Sequence, residues 1–305
     1  MDAQRTLRRS ISCAGIGLHS GRKVTLSLKP APQDFGIRFH RTDLGGLEIP
    51  ASAAYVGGIQ YATGLTCNGA TVETVEHLLA ALVSSGIDNA IVELNTPEVP
   101  IMDGSAAPFM YLIQEAGVRR LAAPRRYLKV IRPITLSRGD KRIALYPSDH
   151  FKITYSISFD HPLLRHQART LRITEESFIE EIAPARTFCF LKEVEMLRQN
   201  GLALGGSLDN AIVIGETGVL NSALRFEDEF VRHKILDVIG DLALVGRPII
   251  GHVVAHRGGH ALHTAFASRI LEETDAWREV EVPVTSPAAE RQPVGATIRT
   301  VPAAN

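Results

Sequence analysis

Residues 227–245 constrain the fold most, because they predict a long helix with apolar residues on several sides. Acidic residues occupy its first turn, and Gly246 and Pro248 mark its end, which is typical of helix boundaries. A helix that is apolar on several sides must be covered on most of them. The sequence therefore predicts other elements packed around this helix. The apolar residues that indicate this are Phe230, Ile235, Leu236, Val238, Ile239, Leu242, Leu244 and Val245.

The first half of the chain predicts two strands and a shorter helix. Residues 24–28 alternate between apolar and polar side chains, as in a half-buried strand. Residues 71–82 carry an apolar stripe at i, i+3, i+4 and i+7, with Thr71 as the predicted N-cap and Gly86 as the predicted stop. A strand is predicted directly after this helix, over residues 89–94.

The second half repeats this order of strands, helix and strand. A further helix is predicted to begin near Thr174, before the long one. The repetition favours a duplicated α+β unit. The strands predicted in this half cover residues 127–131, 143–146, 153–159 and 249–255.

The apolar pattern breaks at residues 121–126, which predicts a linker there. A length of 305 residues corresponds to about two domains. We therefore expect an N-terminal α+β domain over residues 1–123 and a C-terminal α+β domain over residues 127–281. Residues 282–305 contain four prolines and no periodicity, so we expect a mobile tail.

Charge and cysteine content exclude several classes of protein. The 33 Lys and Arg residues balance the 33 Asp and Glu residues, which excludes a generally basic chain that binds nucleic acid. Three cysteines, Cys13, Cys67 and Cys189, do not make a disulfide framework and fit a reducing cytoplasm. No stretch approaches the ~20 apolar residues that span a bilayer, and residues 10–20 lack the apolar core of a signal peptide. We expect a cytoplasmic protein with no membrane span and no nucleic-acid partner.

A possible metal site lies on the long helix. His233 and Asp237 are four positions apart, so both side chains project from one face and can bind a common ion. A third ligand must come from elsewhere, and His77 on the first helix is the candidate, with Glu76 beside it as a possible base. A His–Asp pair at this spacing is more often a surface ion pair, and the H-E-x-x-H zinc signature is absent. Spacing alone therefore leaves both interpretations open.

For several other polar residues the sequence predicts structural roles. His252, His256 and His263 read as ordinary strand or surface histidines, because the first two follow strand alternation and no other ligand type joins them. Asp103 reads as a turn residue. His19 lies in a turn-rich segment and fits a local structural role or the wall of a cleft equally well.

Eight longer segments include or adjoin these residues: 15–21, 76–82, 100–105, 185–188, 205–210, 226–237, 239–242 and 258–262. Together they closely resemble the UDP-3-O-acyl-N-acetylglucosamine deacetylases, zinc amidases of lipid A synthesis in Gram-negative bacteria. The matches follow the family order from residue 5 to about residue 275, an extent that chance does not explain. Cys189 departs from the pattern, because many members carry glycine there, and we expect it to be a small packed residue rather than a nucleophile.

The resemblance implies a fold and a set of roles. The fold is α+β, with two similar domains that each pack a layer of helices on a β-sheet and the active site between them. One zinc ion is held by His77, His233 and Asp237. Glu76 is the general base, His260 the proton donor, Asp241 the group that orients or charges His260, and Thr187 a donor to the oxyanion. Lys234 and Phe188 hold the substrate.

The implied partner is a UDP-linked, 3-O-acylated amino sugar, and we expect the enzyme to be a monomer. One alternative is a zinc amidase that acts on another N-acetyl sugar. A second is a structural module in which zinc, or a His–Asp ion pair, only joins two domains. Intact Glu76 and His260 argue against the structural module, because a closed structural site needs neither a base nor an acid. The acyl groove of the family cannot be located from sequence, because a core and a lipid tunnel have the same composition.

Overall fold

A computed structural model describes residues 2–58, 61–221 and 223–282. The first half contains β1 (Ala3–Leu7), β2 (Ile11–Ile16), β3 (Lys23–Pro30), β4 (Ile37–Arg41), β5 (Leu47–Pro50), β6 (Leu65–Cys67), β7 (Ala70–Val72), α1 (Glu76–Ser84), β8 (Ala90–Leu94), α2 (Ala107–Ala116) and β9 (Val118–Pro124). The second half contains β10 (Arg126–Val130), β11 (Ile134–Arg138), β12 (Lys141–Tyr146), β13 (Lys152–Ile157), β14 (Gln167–Arg172), α3 (Glu175–Ser177), β15 (Phe188–Phe190), α4 (Leu191–Gln199), β16 (Ile212–Ile214), α5 (Glu229–Leu242), β17 (Ile249–Ile250), β18 (His252–His256), α6 (His260–Glu272) and β19 (Trp277–Glu281).

Two five-stranded sheets carry the fold. The order is β2-β3-β8-β4-β5 in the first half and β11-β12-β18-β13-β14 in the second. In each sheet the central strand comes last in the sequence. It pairs antiparallel with one neighbour and parallel with the other. The two sheets thus share one topology, which supports the duplicated unit that the sequence indicated.

Helices α1 and α5 occupy equivalent places in the two units, since each precedes the central strand of its sheet. They pack against each other, and α5 also packs against α6 and against strands β13 and β14. Every residue of α5 except Lys234 is buried. The prediction of a helix covered on most sides is therefore confirmed, as is the α+β fold with helices packed on sheets.

Two local predictions in the first half are wrong. Thr71 is not the N-cap of the first helix, because residues 70–72 form strand β7 and α1 begins only at Glu76. The segment proposed as a linker is largely strand β9, which pairs with β1 at the start of the chain. Only Arg125 separates β9 from β10. An edge strand of small residues next to a proline carries the same signal as a loop, which explains the second error.

The helix predicted near Thr174 is confirmed at its start. Thr174 caps α3, and its Oγ1 accepts a hydrogen bond from the backbone N–H of Ser177. The domain boundaries at 123 and 127 stay a prediction. Residues 283–305, nearly all of the predicted tail, lie outside the described residues. Within the described chain, no helix is long and apolar enough to cross a membrane.

Candidate metal centre and active site

The site begins where α1 crosses α5. Gly240 faces the backbone of Glu76, and a Cβ atom at position 240 would overlap the Glu76 carbonyl group. The missing side chain lets the two helices approach closely. This contact brings Glu76 and His77 at the start of α1 next to the middle of α5, where His233 and Asp237 lie.

His77, His233 and Asp237 converge in the buried space between these helices. Oδ1 of Asp237 lies 3.3 Å from Nε2 of His233 and 3.7 Å from Nε2 of His77. Two ligands bound to zinc at about 2.0–2.2 Å with tetrahedral geometry lie roughly 3.3–3.6 Å apart. The distance from Asp237 to His233 falls in this range and the distance to His77 is slightly longer, so small side-chain shifts would bring these donor atoms to a common ion.

The protonation of these groups also suits a cation. Nδ1 of His233 lies 3.1 Å from the carbonyl oxygen of Ala185 and donates a hydrogen bond to it, which leaves Nε2 with a free lone pair. Burial lowers the pKa of His233 to about 3, so its ring is neutral. Oδ1 of Asp237 is buried and accepts no hydrogen bond from the described residues. An unsatisfied buried carboxylate oxygen beside two imidazole rings fits a divalent ion.

Glu76 lies beside this cluster with only 3% of its surface exposed. Its Oε2 accepts a hydrogen bond of 3.1 Å from the backbone N–H of Thr63. Burial raises the pKa of Glu76, and the neighbouring rings of His260 and His77 partly offset that rise. A carboxylate with a raised pKa is a better proton acceptor than an exposed one, so Glu76 suits the role of a base.

His260 faces Glu76 from the start of α6. Its Nε2 lies 3.7 Å from Oε1 of Glu76, and its Nδ1 lies 3.0 Å from Oδ2 of Asp241. Burial alone would lower the pKa of His260, but the carboxylates of Asp241, Glu76 and Asp237 raise it to about 9. His260 is therefore a protonated ring near neutral pH, as a general acid must be.

One cavity of about 170 Å³ connects these groups. It is lined by Glu76 and the three possible metal ligands, and also by Thr187, Phe188, Lys234 and His260. Asp241 is not in its wall but is bonded to His260 from behind. All nine site residues predicted from the sequence are thus brought together. The two halves of the chain supply them from α1, α5, α6, the start of β15 and the residue before it.

Lys234 is the single residue of α5 that is not buried. Its Nζ donates a 2.8 Å hydrogen bond to Oδ2 of Asp237 and lies 5.6 Å from the ring centre of Phe188. The ammonium group therefore lies at the cavity wall, close to the possible metal ligands. A cation there can bind a negatively charged part of a ligand.

A second, apolar cavity of about 330 Å³ adjoins the first. His19, Thr187 and Phe188 line both cavities. Its wall comes mainly from aliphatic and aromatic side chains around β15, α4 and β16, so it suits an alkyl chain. Those side chains are Leu18, Tyr61, Phe188, Leu191, Val194, Leu197, Leu208, Val213 and Leu220.

His19 lies in the wall of the first cavity, the one that Glu76 and the three possible metal ligands line, which answers the question that the sequence left open. The residue is 7% exposed, and neither ring nitrogen has a hydrogen-bond partner in the described part of the chain. Its backbone N–H donates to Oε1 of Glu98 at 2.7 Å. Glu98 is fully buried and also accepts hydrogen bonds from Ser20 and Thr74. It fixes the loop that carries His19, and no sequence pattern singled it out.

The sequence also missed the surroundings of Asp241. Thr63 donates its hydroxyl to Oδ1 of Asp241 at 2.5 Å, and Nδ1 of His263 lies 2.9 Å from Oδ2. The interpretation of His263 as an ordinary strand or surface histidine is wrong, because it is a fully buried residue of α6. Its spacing of three from His260 was the available signal, since residues i and i+3 share one face of a helix.

The remaining predictions are structural. His252 and His256 lie in strand β18, as predicted, and bond to Thr154 and Ser156. Asp103 accepts hydrogen bonds from the backbone and side chain of Ser105, as expected of a turn residue, and also pairs with Arg225. Cys189 is part-buried in the wall of the apolar cavity, and burial raises the pKa of its thiol, so it is a poor nucleophile.

Comparison with known proteins gives consistent matches. Residues 4–272 match the family model described as "LpxC: UDP-3-O-acyl N-acetylglycosamine deacetylase". A UDP-3-O-acyl-N-acetylglucosamine deacetylase of Pseudomonas entomophila is 50% identical over 302 residues, covering 97% of this chain and all of the relative. Proteins of the same name from Syntrophotalea carbinolica and Anaeromyxobacter sp. are 51% and 48% identical, covering 91% and 95% of this chain and 91% and 96% of their own lengths.

Proposed function

This chain belongs to the family of UDP-3-O-acyl-N-acetylglucosamine deacetylases, and from that premise we propose how its own residues carry out the reaction. It removes the acetyl group from the 2-amino group of the UDP-linked, 3-O-acylated sugar, a step of lipid A synthesis. The products are a free amine and acetate. Three groups are required: one to activate water, one to stabilise the oxyanion and one to protonate the leaving amine.

His77, His233 and Asp237 would hold one zinc ion. Their spacing, the neutral ring of His233 and the unsatisfied Asp237 oxygen support this assignment. When bound there, zinc would lower the pKa of a coordinated water to about 7 and polarise the acetyl carbonyl. With only three protein ligands, a position is left for water or substrate, as in catalytic rather than structural sites.

Glu76 accepts the proton of the attacking water. Its carboxyl group is held by Thr63, is shielded from solvent and faces the same cavity as the three ligands. Burial raises the pKa of Glu76, which makes its carboxylate a stronger proton acceptor than that of an exposed glutamate.

His260 donates a proton from Nε2 to the amine nitrogen as the C–N bond breaks. Its ring is protonated because of the adjacent carboxylates, and Asp241 fixes its orientation through Nδ1. The hydroxyl group of Thr187, in the wall of the same cavity, would donate to the oxyanion. Removing such a donor typically slows the chemical step by about 100- to 1000-fold.

The rest of the substrate has complementary surfaces nearby. Lys234 at the cavity wall would bind the diphosphate, and Phe188 offers a ring face against the sugar. The adjoining apolar cavity would take the 3-O-acyl chain, because it opens beside Thr187 and Phe188. A cytoplasmic location fits the three cysteines, which are all unpaired.

One observation carries the proposal: the three possible ligands, a buried carboxylate and a protonated histidine face a single cavity. The test is deacetylation of the UDP-linked acylated sugar with and without a chelator, beside the same sugar without its acyl chain. We expect turnover of the acylated sugar that chelation abolishes and added zinc restores. Full activity of metal-free protein would overturn the zinc assignment, and reaction of only the unacylated sugar would overturn the substrate.

The structural-module alternative makes a different prediction. If zinc only joined the two halves of the chain, folding would require the ion, but turnover would not depend on Glu76. Glu76→Ala should therefore retain about one zinc per chain and lose turnover if the site is catalytic. Wild-type turnover in this variant would favour the structural role.

A further inference from the structure

His263 is a fully buried histidine that the reaction described above does not use. It lies on α6, three residues after His260, so the two rings project from neighbouring positions on one face. Nδ1 of His263 lies 2.9 Å from Oδ2 of Asp241, and Nδ1 of His260 lies 3.0 Å from the same oxygen. Oδ2 of Asp241 therefore accepts a hydrogen bond from each of the two imidazole rings.

The far side of the His263 ring is also held. Its Nε2 lies 2.9 Å from the hydroxyl oxygen of Tyr155, a fully buried residue of β13. Gly258 leaves room for this pair, because a Cβ atom there would lie 2.6 Å from Nε2 of His263 and 2.7 Å from the Tyr155 hydroxyl. The local sequence and the packing thus accommodate this contact.

The geometry fixes the direction of each hydrogen bond. A carboxylate only accepts, so Nδ1 of His263 carries the proton and donates it to Asp241. Nε2 is then the acceptor, and the hydroxyl group of Tyr155 donates to it. Burial lowers the pKa of His263 and raises that of Tyr155, which keeps both groups neutral in these roles.

Asp241 consequently accepts hydrogen bonds at both oxygens. Thr63 donates to Oδ1, while His260 and His263 donate to Oδ2. A carboxylate with donors on both oxygens cannot rotate without breaking at least one bond. Because Nδ1 of His260 is hydrogen-bonded to Oδ2 of Asp241, the fixed carboxylate also determines the direction in which Nε2 of His260 points.

We propose that His263, held by Tyr155, is a positioning residue for the proton donor His260 and acts through the carboxylate that the two histidines share. This inference rests on the proposed function, since it assumes that His260 delivers the proton. Groups that orient a metal-bound histidine from behind typically change activity by roughly 10- to 100-fold when they are removed, and we expect an effect of similar size at His260. His263 touches neither the catalytic cavity nor its three possible metal ligands among the described contacts, so its removal should leave zinc in place.

The test compares two substitutions that differ in one N–H group. His263→Asn places an amide N–H near the position of Nδ1, whereas His263→Leu fills similar space without a donor. In folded, zinc-loaded protein we expect kcat of the leucine variant to fall by roughly 10- to 100-fold with KM nearly unchanged. The asparagine variant should recover most of this loss. His256→Leu, which removes a histidine bonded only to strand residues, is the matched control and should keep wild-type kcat.

Tyr155→Phe provides a second measurement if the leucine variant does not fold. It removes one hydroxyl group, frees Nε2 of His263 and should lower kcat severalfold without a matching change in KM. Wild-type kcat in the folded leucine variant, or in Tyr155→Phe if leucine does not fold, would overturn the proposal, as would an asparagine variant as slow as the leucine one. His260→Ala separates the two hypotheses: full activity in that variant would instead overturn the proposed role of His260.

Discussion

Nε2 of His260 lies 3.7 Å from Oε1 of Glu76, so the proposed acid and the proposed base face each other across the catalytic cavity. Each influences the other's charge. The carboxylate of Glu76 helps to raise the pKa of His260, and the ring of His260 lowers that of Glu76 against the effect of burial. Each group therefore favours the charged form of the other.

This arrangement predicts a bell-shaped dependence of kcat/KM on pH. Activity should rise as Glu76 loses its proton, at a pH above the usual range of a glutamate because burial raises its pKa. It should fall above about pH 9, where His260 loses the proton that it must donate. Asp241 contributes most to the raised pKa of His260, so Asp241→Asn should move the alkaline limb to lower pH. An alkaline limb that stays in place in that variant would contradict the assignment.

The close approach of α1 and α5 depends on Gly240, and Gly240→Ala should separate them. The added methyl group would overlap the carbonyl group of Glu76, and overpacking of this kind typically costs about 1–3 kcal/mol. A displacement near 1 Å at Glu76 can slow catalysis roughly 100-fold. We expect a lower Tm and at least a tenfold lower kcat. Gly218→Ala is the control, because a Cβ atom there meets open space. Equal turnover in the two variants would contradict this role.

Periodicity predicted the parts of the fold that local sequence determines. The apolar sides of α5 and the alternation of β3 indicated these elements directly. Periodicity failed at Thr71, where the short strand β7 pairs with β6 and so precedes the helix. A three-residue strand is too short for its alternation to be distinguished from the first turn of a helix.

The candidate site likewise contains some residues that the sequence indicated and others that it did not. The spacing of His233 and Asp237 indicated a shared helix face, and the family resemblance supplied the rest of the set. Thr63, Glu98 and Tyr155 gave no such signal, because their roles depend on contacts between residues distant in sequence. The sequence did not locate the apolar cavity either, because its aliphatic lining has the same composition as a protein core.

Two carboxylates one turn apart on α5 give a matched test of the metal site. Asp237 belongs to the possible ligand set, whereas Asp241 bonds to His260, His263 and Thr63. Asp237→Ala should lose both turnover and zinc, because two histidines alone bind the ion weakly. Asp241→Ala should lose turnover but retain about one zinc per chain. Metal content and deacetylation measured on the same samples distinguish the two, and full zinc retention in Asp237→Ala would contradict the ligand assignment.

Zinc should also stabilise the wild-type protein. A ligand that binds only the folded state at 100 times its Kd contributes about 2.7 kcal/mol. Addition of zinc to the metal-free enzyme should therefore raise its Tm, and the rise should be absent in Asp237→Ala.

The loop that carries His19 should depend on Glu98. Its two carboxylate oxygens accept hydrogen bonds from the backbone of His19 and Ser20 and from the hydroxyls of Ser20 and Thr74. Glu98→Gln turns one acceptor into a donor that faces other donors, and a buried unsatisfied group costs about 1–3 kcal/mol. We expect a lower Tm and a higher KM, since His19 lines the cavity.

The control for this loop is Glu93→Gln. Glu93 pairs with Lys29 at a half-exposed position, where an ion pair typically contributes less than about 1 kcal/mol. The Tm of the Glu93→Gln variant should stay close to that of the wild type. If Glu98→Gln were equally stable, the hydrogen bonds to Glu98 would not be what holds the loop.

The apolar cavity predicts a dependence on acyl-chain length. Ala211 lines this cavity, and Ala211→Phe should fill part of it. Each methylene kept out of an apolar site loses about 0.8 kcal/mol, so the exclusion of two should raise KM roughly 10- to 20-fold for a long-chain substrate. A short-chain substrate should be affected much less. Ala168→Phe, at an exposed position of β14, is the control and should leave both KM values unchanged. If Ala211→Phe raised both KM values equally, the acyl chain would have to bind elsewhere, because only a chain that enters this cavity competes with the new side chain.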